Sequence, residues 1–333
     1  MKKIAIIFPI LLLLDLVLIT KSDELGDLLD SLITGVSDDK LNNIINHLRS
    51  LLNGILDLTQ QELLKLVEVL NLLKSMGIEV TEEKLKLTAQ RVVLINGLTN
   101  GIWTAKLGFF SLLPDEDQKK LSGVTDIEME TVTGIETIRN KRQTSNSTKK
   151  CNYTTEFDVR DKWPKCSSFL NHVQDQAFCG GCWLFQLLPP TQIDIVLNVT
   201  RRCTNKTWGV PYDADRKNYV ITSGTLKGEQ AIKDELYKNG PVVAIFNVYK
   251  DFYHYADGED GVYFYVSGDY DKPHAVVIVG YGTAYCEYEK IPYWIIRNSW
   301  GTSQNLTGFL KFKRGNNECG IDANLSFGIP KIN

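Results

Sequence analysis

The chain has 333 residues, 43% hydrophobic and 23% charged, the balance of a globular protein long enough for roughly two domains. Its formal net charge of −3 at pH 7 gives no electrostatic basis for a nucleic-acid partner. In chain order, "MKKIAIIFPILLLLDLVLITKS" at residues 1–22 has a basic start, an apolar run and a polar exit. That is the anatomy of a secretory signal peptide, although Pro9 and Asp15 interrupt its apolar core. The uninterrupted apolar part is too short to span a bilayer, so stable membrane insertion is not expected. Secretion suits the six N-x-Ser/Thr sequons at Asn146, Asn152, Asn198, Asn205, Asn305 and Asn324. It also implies that most of the seven cysteines pair, and an odd number leaves at least one free thiol.

Residues 23–90 are Leu-rich with helical periodicity, and Leu41, Ile44, Ile45, Leu48, Leu51, Leu52, Ile55 and Leu56 mark one face. "TQQE" at Thr59–Glu62 has capping-box spacing, and Thr81 followed by Glu82 and Glu83 predicts another helix start. A small helical bundle with a leucine core is expected. Lys and Arg do not dominate its polar face, which argues against membrane-surface binding. Around residues 135–150 the chain turns polar and dibasic, "IETIRNKRQTSNSTKK", as an exposed and cleavable linker would. Beyond it come the strand-like runs "VVAIFNVY", "GVYFYV", "HAVVIVGYG" and "PYWIIRNSW", and one helix, "GEQAIKDELYKNGP", stopped by Gly240 and Pro241. The C-terminal half therefore reads as mixed α and β.

Cys179 and Cys182 lie in "DQAFCGGCWLF". The other five cysteines are isolated and no H-x3–5-H occurs, so four zinc ligands are not assembled and no metal or cofactor is expected. The preceding "NHVQDQAF" is not a strand, which disfavours a thioredoxin-type pair. A nucleophilic cysteine needs a base and an orienter. Of four histidines, His274 heads an apolar run, and Asn298 closes another beside Trp300. A lone histidine so placed is more often structural than catalytic.

Taken together, "QAFCGGCW", "HAVVIVGYG" and "RNSWG" resemble the cysteine, histidine and asparagine boxes of the papain family. "FDVRDKWPKC", "DELYKNGPV", "NECGID" and the terminal "GIP" resemble its cathepsin B-like proteases, and "GLTNGIWTAKLGFFSLLPDEDQKKLSGV" resembles their inhibitory prosegment. The resemblance implies an α+β, papain-like fold of two subdomains preceded by a helical prosegment. It implies Cys182 as nucleophile, His274 as base, Asn298 as orienter and Gln176 as oxyanion-hole donor, with Trp300 shielding the His–Asn hydrogen bond. Cys179 would be a structural disulfide partner. The domain division expected is signal peptide 1–22, helical extension 23–90, prosegment and linker 91–150, and peptidase domain 151–333. Peptide or protein substrates, and the chain's own prosegment as inhibitor, are the expected partners. A secreted or lysosomal location follows from the leader.

Three departures qualify this. Gly181 stands where Ser or Ala is usual before the nucleophile. His274 and Asn298 follow Cys182 by 92 and 116 positions, short of the usual ~130–150. Pro189-Pro190 also closes the cysteine's helix early. Family segments are missing around residues 186–203, which reduces the N-terminal helical subdomain and leaves Cys203 to serve only one of Cys166 and Cys179. Finally, Asn324 occupies the position of the acidic floor of the S2 pocket, so basic P2 residues lose their partner. Against an endopeptidase made as a zymogen therefore stands a second reading. It is a catalytically inactive relative kept for binding, or the product of exon loss or a faulty gene model.

Overall fold

The computed structural model describes residues 24–33, 37–124, 151–178, 182, 220–287, 289–302 and 306–330. The leader, the linker at 135–150, Cys179, Gly181, Pro189-Pro190, the 186–203 interruption, Cys203 and the sequons at Asn146, Asn198, Asn205 and Asn305 lie outside the described residues. Two compact units divide at Arg91/Val92.

In the first unit, helices α1 (Glu24–Ile33), α2 (Asp38–Leu52), α3 (Gln60–Ser75) and the start of α4 (Glu82–Thr99) pack as the leucine periodicity requires. Leu25, Leu29, Ile44, Ile45, Leu48, Leu52, Leu63, Leu66, Leu70 and Leu73 are all buried. Each of these helices whose start is described has a side chain that stops its N-terminal amides from going unpaired. Ser37 caps α2 and Thr81 accepts the Lys84 N–H of α4 at 3.2 Å. Thr59 and Glu62 form a reciprocal capping box on α3. His47, half-buried, ties α2 to the head of α4 through Glu82 at 3.0 Å.

The second unit begins within α4 and continues through α5 (Phe109–Leu112) and α6 (Asp115–Lys120). Strand β1 (Asn152–Asp158) follows, then the short helices α7 (Val159–Lys162) and α8 (Ser167–Leu170). Strand β2 (Val220–Leu226), helix α9 (Glu229–Lys238), strand β3 (Val242–Tyr249) and helix α10 (Lys250–Ala256) come next. The chain then runs through β4 (Tyr270–Tyr285), β5 (Lys290–Arg297), β6 (Phe309–Lys313) and β7 (Leu325–Pro330). Among the described residues these strands form one antiparallel sheet in the order β2-β7-β3-β4-β5-β6, and β1 pairs with the far half of β4. β4 can hold three partners because it is 16 residues long. Its first part pairs with β3, its last part with β1, and β5 runs along the other edge. Val242, Ala244, Phe246 and Val248 alternate into the interior with the period of two that a half-buried strand requires. Phe246, Phe252, Tyr255, Tyr263 and Phe312 form the aromatic centre of that interior.

"GVYFYV" is a correction to the expectation, since it forms no strand. Tyr263 makes an isolated bridge to Phe312, and the Val266 and Ser267 amides turn to the buried Asp251 carboxylate at 2.7 and 3.0 Å. A side-chain acceptor has replaced the neighbouring strand, which pattern alone does not reveal. The expectation that most thiols pair turns in part on Cys179 and Cys203, which lie outside the described residues. Cys151 and Cys286 form a disulfide that fastens the head of β1 to the end of β4. Among the described residues, Cys166, Cys182 and Cys319 form no disulfide.

Candidate active site

His274 sits in β4 opposite Phe246 of β3, and Asn298 follows the last residue of β5. Their elements are adjacent, and the His274 Nε2···Asn298 Oδ1 hydrogen bond measures 2.8 Å. Asn298 Oδ1 also accepts the Ser299 N–H at 2.8 Å, which fixes the amide's orientation. With Nε2 donating to an oxygen, Nδ1 is the free lone pair of a neutral imidazole. Nδ1 is buried with no hydrogen-bond partner among the described residues. Such an orphan is costly in a settled core and usual where a reactive partner is meant to sit. Burial pushes the His274 pKa down to about 4 and the bond to Asn298 only partly offsets this, so the ring is neutral in this closed state.

Aromatic rings enclose the pair. Trp300 lies 5.0 Å from the His274 ring, centroid to centroid, and stacks on Tyr253 at 5.8 Å, with Phe110 at 4.9 Å. They keep water off the His–Asn bond, where a low dielectric makes it stronger.

The thiol approaches from another part of the chain. Residues 167–178 are pinned to the sheet's end by Arg297, which donates to the Phe169 and Leu170 carbonyls at 3.3 Å each. Gln176 N–H donates to Ser299 O at 2.9 Å, and Gly301 N–H to Gln174 O at 3.0 Å. Gly301 has φ +75°, and a Cβ there would lie 3.0 Å from the Asp175 carboxylate. Glycine is what lets the two segments close. Cys182 is fully buried and its Sγ accepts the Ala275 N–H at 3.5 Å, next to His274. Gln176 is 2% exposed, and the Ser299 hydroxyl holds its Oε1, leaving Nε2 to point outward as a donor.

What occupies that donor is a backbone group of the segment 121–124. Leu121 O accepts Gln176 Nε2–H at 2.8 Å and Trp300 Nε1–H at 3.1 Å. Gly123 N–H donates to Cys182 Sγ at 3.3 Å, and Val124 packs on Cys182 and Ala275. The upstream part of the same segment is anchored by the loop after α10. Trp103, 1% exposed, lies 5.5 Å from both Tyr255 and Tyr263 and donates to Phe264 O. Its bridge to Gly261 needs a glycine there, because φ is +93° and a Cβ would come within 2.2 Å of Ile102 O. Asp257 accepts the Phe110 and Ser111 amides at 2.7 and 2.9 Å. The residue is half-buried, but the turn encloses its carboxyl, and burial raises its pKa to about 7 against the opposing pull of those hydrogen bonds.

Cys182, His274, Asn298, Gln176 and Trp300 are thus brought together. Asn324 is half-buried at the head of β7, and its carbonyl accepts the Ile245 N–H at 3.0 Å. Sequence reasoning missed Ser299, although it stands beside Asn298. It also missed Leu121, Val124 and Asp257. Leu121 acts through a carbonyl that every residue type possesses, so no signal in the sequence marks it.

The sequence profile described as "Papain family cysteine protease" matches residues 191–329, taking in His274 and Asn298 and beginning after Cys182. The chain is 29% identical over 251 residues to "Cathepsin B-like cysteine proteinase 3" of Caenorhabditis elegans, covering 53% of this chain and 66% of the relative. It is 34% identical over 156 residues to the "Gut-specific cysteine proteinase" of Caenorhabditis elegans, covering 46% and 45% respectively. The chain therefore spans less than two thirds of the length of these two curated relatives. In the first alignment the covered 53% of the chain is fewer residues than the alignment has positions. The relative thus carries residues that this chain lacks. Among solved structures, "proCathepsin B S9 from Trypanosoma congolense" superposes with a TM-score of 0.51 at 23% identity, covering 73% of this chain and 98% of that one. That likeness supports the α+β papain-like fold with a helical region ahead of it. Over its C-terminal part the chain is thus similar to the papain family of cysteine proteases, on its cathepsin B-like side.

Proposed function

We propose that the chain is the zymogen of a secreted or lysosomal cysteine endopeptidase, latent as it stands here, with Cys182, His274 and Asn298 as its reactive group. The observation that carries this reading is the buried, unpartnered His274 Nδ1 beside a buried thiol, with Nε2 held by Asn298. Once the cleft opens, His274 takes the Cys182 proton and the thiolate–imidazolium pair forms. Sγ attacks the peptide carbonyl carbon, and the resulting oxyanion accepts hydrogen bonds from Gln176 Nε2–H and the Cys182 N–H. His274 returns its proton to the leaving amine. Water, deprotonated by the same imidazole, then hydrolyses the thioester and restores the thiol.

Latency follows from the same contacts. Leu121 O fills the donor that the oxyanion needs, Gly123 covers the sulfur, and His274 is kept neutral. Residues 92–124 then act as the inhibitor, and a cut in 125–150 frees them. The stretch 186–203 favours the inactive reading, because the family's segments there are missing from the sequence. The deciding experiment acid-activates the secreted full chain and assays a fluorogenic peptide, with Cys182→Ser as control. Turnover abolished by Cys182→Ser is the expected result. A folded, processed chain with no turnover, indistinguishable from its Cys182→Ser variant, overturns the reading in favour of a binding role.

A further inference from the structure

Strand β1 is an open edge of the sheet. It pairs with the far half of β4 and has no second strand partner among the described residues. Residues 152–156 are all exposed, in a stretch, "NYTTEF", rich in β-branched and aromatic residues. Such an edge invites pairing with another chain, and natural sheets blunt it with charge, bulges or a cover. The Glu156 carboxylate and the register shift between Thr155 and Phe157 guard its second half. Its first half has neither.

That first half carries a sequon, Asn152-Tyr153-Thr154. The Tyr153 ring lies edge-on to Tyr293 at 6.3 Å and takes the Lys311 ammonium at 4.7 Å. Neighbours along a strand point to opposite faces, so Asn152 and Thr154 share the other face, and both are exposed. Directly across from Asn152 stands Tyr285, 44% exposed and on that same face. The disulfide from Cys151 to Cys286 holds the acceptor at this end of β4. The sequon Asn324-Leu325-Ser326 is placed differently. Leu325, 2% exposed, pairs with Leu226 of β2 and with Ala244 of β3, so that sequon lies between two strands. Asn324 itself is half-buried, with its carbonyl on the Ile245 N–H. An oligosaccharide is bulky and solubilising, and it belongs on the first surface and not in the second.

We propose that Asn152 carries an N-linked glycan, that Asn324 does not, and that the glycan covers the open half of β1 against pairing with a second chain. The proposal rests on the secretory reading and is independent of catalysis. Asn152 follows the cut in 125–150, so its glycan stays with the peptidase domain when the blocking segment leaves. It pairs with Tyr285, at the opposite end of β4 from His274, and leaves the base uncovered.

The test expresses the full chain through the secretory route of a eukaryotic host. Its peptides are mapped after an amidase that removes N-glycans and converts the acceptor Asn to Asp. Conversion is expected at Asn152 and not at Asn324. Thr154→Ser keeps the sequon and should behave as the parent. Thr154→Val keeps the branched β-carbon but loses the sequon. It should lose the glycan and self-associate severalfold more at equal concentration, read by light scattering, with an unchanged rate of Cys182 alkylation. Enzymatic deglycosylation of the folded parent should reproduce that association. Secreted chain with Asn152 unmodified, or with a glycan on Asn324, overturns the proposal and leaves the secretory reading standing. So does a deglycosylated chain that associates no more than the parent. A chain that never enters the secretory route, with every sequon bare, overturns both.

Discussion

The two halves of the proposed reactive group are held by different physics. His274 and Asn298 stand on long paired strands, joined to each other at 2.8 Å and walled by Trp300, Tyr253, Phe110 and Phe246. Gln176 reaches the same place on a stretch of short helix and turn, kept there by contacts to Arg297, Ser299, Trp300 and Gly301, and Cys182 is held by the Ala275 and Gly123 amides. The base half is built into a sheet. The thiol half is docked, and it depends on partners at the end of β5. Under the proposed roles, the thiol is the half more exposed to misplacement.

The largest effect should come from the docked half. Cys182→Ser is expected to lower activity by at least about a thousandfold, since the remaining groups supply only residual catalysis. The closed fold should be untouched, as judged by an unchanged melting temperature of the zymogen. Gln176→Ala removes the side-chain oxyanion donor and should lower kcat by about a hundredfold to a thousandfold. Because Gln176 also binds Leu121 O, the same variant should release the blocking segment more readily, measurable as faster alkylation of Cys182 in the zymogen. Asn298→Ala on the sheet-borne half leaves the ring free to rotate and should cost about a hundredfold in kcat/KM. Should Ser299→Ala match Gln176→Ala in kcat, the hydroxyl's hold on the Gln176 amide is the reason. If Ser299→Ala leaves kcat alone, the docked half is stiffer than this comparison holds.

Acid opening follows from protonation of the same groups. His274 has a pKa of about 4 in the closed form because of burial, against an ordinary value near 6.5 once exposed. As pH falls from about 6.5 to about 4, the open form binds a proton that the closed form refuses, so opening gains up to about 3 kcal/mol. Asp257 works the other way. Burial raises its pKa to about 7, so the closed form keeps a proton down to the ordinary carboxylate range and acid favours closure. The two slopes oppose each other between about pH 6.5 and 4. Asp257→Asn should therefore make acid-driven exposure of Cys182 steeper, read as alkylation rate against pH, and Asp257→Asn with an unchanged slope would count against this balance. The smallest effect concerns scaffold alone. The Cys151–Cys286 disulfide closes a separation of 135 residues, so Cys286→Ser should cost about 2–5 kcal/mol of stability. His274 lies on β4 too, but 12 positions before Cys286, so kcat of the activated chain should hardly change.

What the sequence disclosed divides along the same line. The Thr59–Glu62 capping box, the leucine face of α2 and strands β3, β4 and β5 are local patterns, and local patterns survive folding. Cys182, His274, Asn298 and Gln176 were legible because three short boxes carry them, although 92 positions separate the thiol from the base. "GVYFYV" misled because Asp251, 15 residues before Val266, takes the amides a partner strand would have taken. The Cys151–Cys286 pair was illegible because it joins strands β1 and β4 across a separation of 135 residues, which no local pattern signals. Leu121 and Gly123 act through backbone atoms, which no residue code marks.

The most direct measurement is covalent labelling of the acid-activated full chain with a peptidyl thiol-directed electrophile, followed by mapping of the adduct. The account predicts one equivalent on Cys182, lost on Asn298→Ala or by prior readdition of the intact 92–124 peptide. A folded and processed chain that leaves Cys182 unlabelled, or labels the exposed Cys166 equally well, would contradict it.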